Sequence, residues 1–356
     1  MEKKAIELQF NWIFILIAGA LILAFFFSVV QKQRTLSEQK LSLTLSSQMD
    51  AVFTGAIESK GTTQPLATPK PGIAFSCSNV CECKFYIGPQ SNSFGDKLLF
   101  APALLKNQAA RAWAVEWKLP FRIANFLMLT NPEIKYYFVY ESTDQKSAQL
   151  FQKIKKAVPA EINAEAVSTI SGAYSARPQG YAHTRFVFIG TQEPSLQSLS
   201  NEFAEEDVSG VWIDSDMQKV VFYEKADSNE LEFHEYQSSL AGDVTAYASI
   251  FAADHLMYNC VMQEAFAKLG IIAEVHAKRA KALQSEMESP AQPRLECSGA
   301  YASIIPELDN VAQKAALLGT AFPEKDGSAL GQILGAQSRL QQNNQNIILQ
   351  SCPELY

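Results

Sequence analysis

The sequence predicts an α/β protein carried on an N-terminal membrane helix. Three observations predict it. Residues Phe10 to Val30 run for 21 positions without a charge. Strand-like and helix-like segments alternate from Lys135 to Glu224. From about Gly242 the chain changes to long helical periodicity.

A helix rises about 1.5 Å per residue, so the apolar run matches the roughly 30 Å hydrocarbon core of a bilayer. A cleaved signal peptide has a shorter apolar region, about 7 to 15 residues, ending at a small-x-small site. Here the run passes straight into Gln31, Lys32, Gln33 and Arg34. It reads as an uncleaved, single-pass signal anchor over residues 10–30, with residues 1–9 as a short tail and the lipid bilayer as partner. Lys3 and Lys4 precede it, and Lys32, Arg34 and Lys40 follow, so the positive-inside rule is nearly balanced. The chain has six cysteines, Cys77, Cys81, Cys83, Cys260, Cys297 and Cys352. An even number at wide spacing suits disulfides in an oxidising compartment. The part beyond the anchor is therefore expected outside the cytoplasm.

Residues 31–58 read as a helical stalk continuing the anchor. Leu41, Leu45, Met49, Val52, Phe53 and Ala56 recur at helical spacing. Such a stripe packs on its own domain or pairs with a second copy or another protein. Residues 59–72 (SKGTTQPLATPKPG) read as a linker, because three prolines and two glycines leave little to bury. An α/β domain is expected over 73–241.

Within it, the Cys77-x3-Cys81-x-Cys83 cluster is followed by Lys84 to Ile87 (KFYI), which reads as a strand. Residues 102–118 suggest an amphipathic helix, with Pro102 in its first turn and Leu105, Ala109, Trp113 and Trp117 on one core-facing side. Lys135 to Glu141 (KYYFVYE) is aromatic and β-branched and predicts a strand. A helix over 145–157 and a strand over 163–168 complete a unit of βαβ length, in which parallel pairing is expected. Thr184 to Gly190 predicts a further strand. Val208 to Asp214 and Lys219 to Glu224 predict a hairpin about Asp214-Ser215-Asp216, and Glu232 to Tyr236 one more strand. The whole is a mixed sheet with flanking helices.

Residues 242–356 are expected to be helical. One long helix spans 243–288, broken near Gly270. Two more lie near 301–319 and 328–349, giving a C-terminal three-helix unit. If the three run up, down and up, Cys297 and Cys352 come to the same end and are candidates for a bridge. Cys260 then seeks a partner among Cys77, Cys81 and Cys83. Cys81 and Cys83, two apart on a strand, are poor partners for each other. Six cysteines allow 15 full pairings, and the spacing leaves them open.

A net charge of -7 argues against nucleic acid, whose phosphates require clustered Lys and Arg. Lys278, Arg279 and Lys281 lie among acidic neighbours on one helix and read as a solvated face. The four histidines make no helical metal pair with another His or Cys. No nucleophile elbow, phosphate-binding loop or dinucleotide fingerprint occurs. The sequence therefore gives no catalytic, cofactor or metal residues. In open parallel sheets ligands sit at the carboxyl ends of strands. That makes Ser142, Thr143 and Asp144 the candidate ligand loop, with helix capping as their ordinary role.

Two resemblances follow from these residues. The charged start, apolar run and helical stalk resemble a type IV pilin or archaellin N-terminus. That family places a Glu at the fifth residue after its processing site; here Glu7 follows Ala5 by two, so the processing rule is not met. The order of anchor, α/β domain and helical tail, with Tyr258-Asn259-Cys260-Val261-Met262 and the closing Ser351-Cys352-Pro353-Glu354-Leu355-Tyr356, is similar to uncharacterised archaeal-type single-pass membrane proteins. That resemblance implies no activity. The expected function is a membrane-anchored envelope protein with a non-enzymatic binding or structural role. The alternatives are an enzyme with a Rossmann-like domain and an unrecognised site, or a pilin-like subunit.

Overall fold

The computed structural model describes residues 2–59, 61–106, 110–174, 180–202, 207–225, 232–289, 294–324 and 327–356. Anchor and stalk form one helix, α1 (Glu2–Glu58). It is long and apolar enough to cross a membrane. Along its first half Phe14, Leu16 and Leu23 are each 72% exposed, so no part of the described chain covers them.

Burial begins at Ser42 and continues at Ser46, Met49, Phe53 and Ala56. The predicted stripe is thus displaced, for Leu41 and Val52 face solvent. Two serines replace them in the seam, because a small side chain lets the helix approach closely. A Cβ on Gly88 would lie 3.2 Å from Ser42 Oγ. Phe53 inserts between Phe75 and Phe85, at ring distances of 6.0 and 5.4 Å. Asp50 pairs with Lys97 at 3.0 Å, and Asn125 Nδ2 donates to the Ile57 carbonyl at 2.7 Å. The stalk therefore packs on its own domain.

The expected linker contains a strand, β1 (Thr63–Leu66), paired antiparallel with a later strand. Its Pro65 lacks an N–H and is tolerated because β1 is a sheet edge. β2 (Ile73–Cys77), β3 (Cys83–Ile87), β4 (Gln90–Ser93), β5 (Leu99–Phe100) and β6 (Leu104–Leu105) follow. One antiparallel sheet has the order β4-β3-β2-β6.

The amphipathic helix expected over 102–118 is not formed. Leu104–Leu105 is β6, and Ala110–Lys118 is strand β7; Ala109 lies outside the described residues. Trp113 and Trp117 are four apart, a spacing that shares a face on a helix and equally on a strand. The alternation of Trp113, Val115 and Trp117 is the strand's own period. Both tryptophans are core residues: Trp117 rests on Phe126 and Phe266, and Trp113 on Tyr247. β8 (Arg122–Thr130) completes a sheet of order β1-β7-β8-β5.

The third sheet is formed by β9 (Ile134–Tyr140), β10 (Ala164–Val167), β11 (His183–Gly190), β12 (Val208–Asp214), β13 (Lys219–Glu224) and β14 (His234–Ser239). Its order is β10-β9-β11-β12-β13-β14. The first four are mutually parallel, and the last two add an antiparallel hairpin edge. The βαβ unit expected over Lys135 to Ser168 is present, its crossover being α2 (Gln145–Ala157). Alternate residues feed two cores. Phe138, Val187, Val211 and Phe222 join the main one with Phe151 and Ile154 of α2. Tyr137, Phe186, Trp212 and Tyr223 form a second one, into which α3 (Ile170–Tyr174) sends Ala173 and α4 (Leu196–Glu202) sends Leu199.

The helical run after Gly242 breaks earlier than expected. α5 (Asp243–Phe251) ends at Ala252, and α6 (His255–Met287) starts from Asp254. The Asp254 carboxylate caps α6 by accepting from Met257 N at 2.7 Å. Gly270 does not break α6; it gives room for the next helix, and a Cβ there would lie 3.3 Å from Ala312 O. That helix, α7 (Leu295–Leu318), begins before the predicted residue 301 and contains Pro306. α8 (Ser328–Leu349) packs on α7. The main core runs from Met49 to Leu355, so sheets and helices share one interior.

Candidate functional site

All six cysteines are paired. Cys297 at the start of α7 is bonded to Cys352 beyond α8, with Cα atoms 5.7 Å apart. Cys77 and Cys83 are cross-strand neighbours in the β2–β3 register and are bonded to each other. Cys81, in the turn between them with φ 57°, is bonded to Cys260 on α6. The cluster is a staple, with no cysteine left for a metal.

The candidate ligand loop sits where the parallel strand order reverses, between β9 and β11. There the protein's own groups fill the crevice. Asp144 caps α2 by accepting from Lys146 N at 3.1 Å, and its other oxygen accepts from Thr191 Oγ1 at 2.8 Å. These bonds, Thr191's above all, hold its carboxyl below the ordinary range. Ser147 donates to the Ile189 carbonyl and accepts from Glu141 N. Gly190 has φ 143°, and a Cβ there would lie 2.7 Å from Ser147 Oγ. Thr143 bonds Glu141 at 3.2 Å. Ser142 has its backbone N–H on the Ser168 carbonyl. Asp216, at the hairpin turn, pairs with Lys146 at 2.9 Å. This end of the sheet is closed by caps and turns.

The opposite end is open. A cavity of about 220 Å³ lies beside the amino ends of β9 and β11. Its floor contains Tyr136, Arg185, Ile250 and Phe251, all buried; Lys106, Glu133, His183 and Asp207 stand among its less buried walls. Arg185 is 3% exposed. Its Nη1 donates to Ser209 Oγ at 2.9 Å and to the Ala253 carbonyl at 3.3 Å, and its Nη2 donates to the Ser249 carbonyl at 3.1 Å. All three acceptors are neutral. The Nε proton has no acceptor among the described residues. Burial lowers the Arg185 pKa, and the charge of Glu224 opposes that shift. Arginine still remains a cation at any ordinary pH.

Beside it runs a chain of three groups. His183 Nδ1 is 3.0 Å from Asp207 Oδ1, and His183 Nε2 is 2.8 Å from Ser209 Oγ. Arg185 can only donate, so Ser209 Oγ accepts from it, and in the Nδ1–H tautomer of His183 the Ser209 proton goes to Nε2. The neutral imidazole that satisfies both neighbours then carries its proton on Nδ1, toward Asp207. The His183 bond holds Asp207 below the ordinary carboxylate range. The connectivity is that of an acid–base–nucleophile relay. The burial order is reversed, however: Ser209 is 8% exposed, whereas the Asp207 side chain is 62% exposed. Ser209 is also absent from the cavity wall. Burial pushes the Tyr136 hydroxyl up to about 12, and it bonds Thr130 Oγ1 at 2.8 Å.

None of these residues is prominent in sequence. The available signal is Arg185 itself, a cation inside the apolar strand Thr184 to Gly190, with His183 two positions before it on the same face. Comparison with protein-family models, with curated proteins and with solved structures gives no significant match, so the site is read from its own chemistry.

Proposed function

We propose that this chain is a single-pass membrane protein whose disulfide-stapled domain faces an oxidising space outside the cytoplasm and serves there as a non-enzymatic binding module. The observation that carries the reading is the combination of an uncovered apolar helix with three cysteine pairs and no free thiol among the described residues. Bare apolar side chains in that number favour lipid as their solvent. Disulfides persist where thiols are not kept reduced. Alkaline carbonate extraction and non-reducing mass spectrometry of the membrane fraction test both halves. Retention in the pellet with three bridges is expected. Release into the supernatant, or six alkylatable thiols in native preparations, overturns it.

A second reading, hydrolysis through Ser209, His183 and Asp207, is favoured by their connectivity. It ranks lower because Ser209 is buried and accepts from Arg185. Labelling of Ser209 by a fluorophosphonate probe would promote it over the first.

A further inference from the structure

We infer that the cavity beside Arg185 binds a small monocarboxylate with an apolar body. This names a ligand class for the binding role proposed above and rests on it. Arg185 brings a full positive charge into the interior, yet each acceptor it reaches is a neutral oxygen. Carboxylates are within electrostatic range, but Glu224 is engaged by both the backbone N–H and Nδ1 of His255, and Asp254 caps α6. A buried charge favours a paired, hydrogen-bonded partner. Nη1 has two neutral acceptors and Nη2 one, so among the described residues the Nε proton has none and Nη2 has a single one for its two protons. Arg185 is among the residues that line the cavity, and a carboxylate is an anion whose two oxygens fit a guanidinium edge.

The other walls select the body and the charge. Ile250, Phe251 and Ala252 are each at most 2% exposed and supply an apolar surface. Glu133 and Asp207 line the cavity with Lys106 and Arg185, so its formally charged side chains balance. A monoanion leaves that balance one charge negative and a dianion such as phosphate two, which favours the monoanion. The Asp207–His183–Ser209 chain then has a defined role: it fixes the hydroxyl that holds Nη1, and so positions the guanidinium.

The test uses the full chain in lipid nanodiscs, with 4-methylpentanoate as probe and 4-methylpentanamide as its neutral counterpart, read by saturation-transfer NMR. Strong transfer to the acid and at least fivefold weaker transfer to the amide are expected. Ala103→Trp places a bulky ring at the exposed rim without touching the core and should abolish the acid signal; Arg185→Met should do the same. Equal signals from acid and amide, an acid signal unchanged by Ala103→Trp, one retained by Arg185→Met, or none above empty nanodiscs would each overturn the assignment. Carbonate extraction and disulfide mapping are unaffected by any of these results, so this site and the topology fail separately.

Discussion

Cys81 and Cys260 are separated by 179 positions in sequence, and their Cα atoms lie 5.0 Å apart. Their bond joins the β2–β3 hairpin, on which the stalk rests, to the longest helix beyond the sheets. Closing so long a loop restricts the unfolded chain strongly. Replacing Cys260 by Ser should lower stability by about 5 kcal/mol in the chain-entropy model. The Cys297–Cys352 bond closes a 55-residue separation and should be worth about 4 kcal/mol in the same model. Guanidinium unfolding of each Cys→Ser variant, with and without reductant, checks both values. Unchanged midpoints would contradict the staple reading.

Phe53 is fully buried between two phenylalanines of the hairpin. Phe53→Ala should remove about 3 to 5 kcal/mol. It should also free the stalk, so that limited proteolysis cuts between residues 59 and 72 faster than in the parent chain. Leu41→Ala, on the exposed face, should change neither measurement.

His276 lies between Phe121 and Tyr356, at ring distances of 4.7 and 5.2 Å. Burial lowers its pKa, and Arg279 lowers it further. The unfolded chain therefore takes up this proton first. Stability is fully present above the unfolded value of about 6.5 and declines as pH falls through it toward the folded value. Thermal unfolding between pH 7.5 and 5 should show this slope, and His276→Phe should flatten it. An identical slope in the variant would remove His276 as the cause.

Ser209 holds together Arg185 and His183. Ser209→Ala leaves a buried donor and an imidazole nitrogen without their shared partner, so a loss of about 1 to 3 kcal/mol is expected in urea unfolding. Asp144→Ala, at the cap of α2, should lose about 1 kcal/mol by the same measurement. A Ser209→Ala loss no larger than a few tenths would show that the hydroxyl positions nothing.

The parallel strands were legible because their residues are both β-favouring and buried on two faces. Lys135 to Glu141 and Thr184 to Gly190 carry that signal without help from elsewhere. β7 was not legible as a strand, because Trp113 and Trp117 satisfy either period and only pairing with β8 decides. The break before Asp254 was also hidden: no Pro or Gly marks it, and the cap is recognisable only once Met257 N is seen to donate to it. In the site, the candidate loop was chosen only as the carboxyl end of a predicted strand, and that position alone could not reveal that Asp144 and Thr191 bond each other there. The cavity at the other end depends on β9, β11, the residues preceding β12 and the end of α5, which meet only in three dimensions.

α1 runs without interruption from beyond Val30 to the Phe53 contact. At about 1.5 Å per residue, some 18 Å of bare helix separates Val30 from Ser42. No swivel lies in that span. In the membrane-spanning arrangement proposed above, whatever tilt the lipid imposes on the apolar segment is handed on to the folded body as a rigid lever, so the cavity beside Arg185 points in a direction set by the bilayer and not by free tumbling.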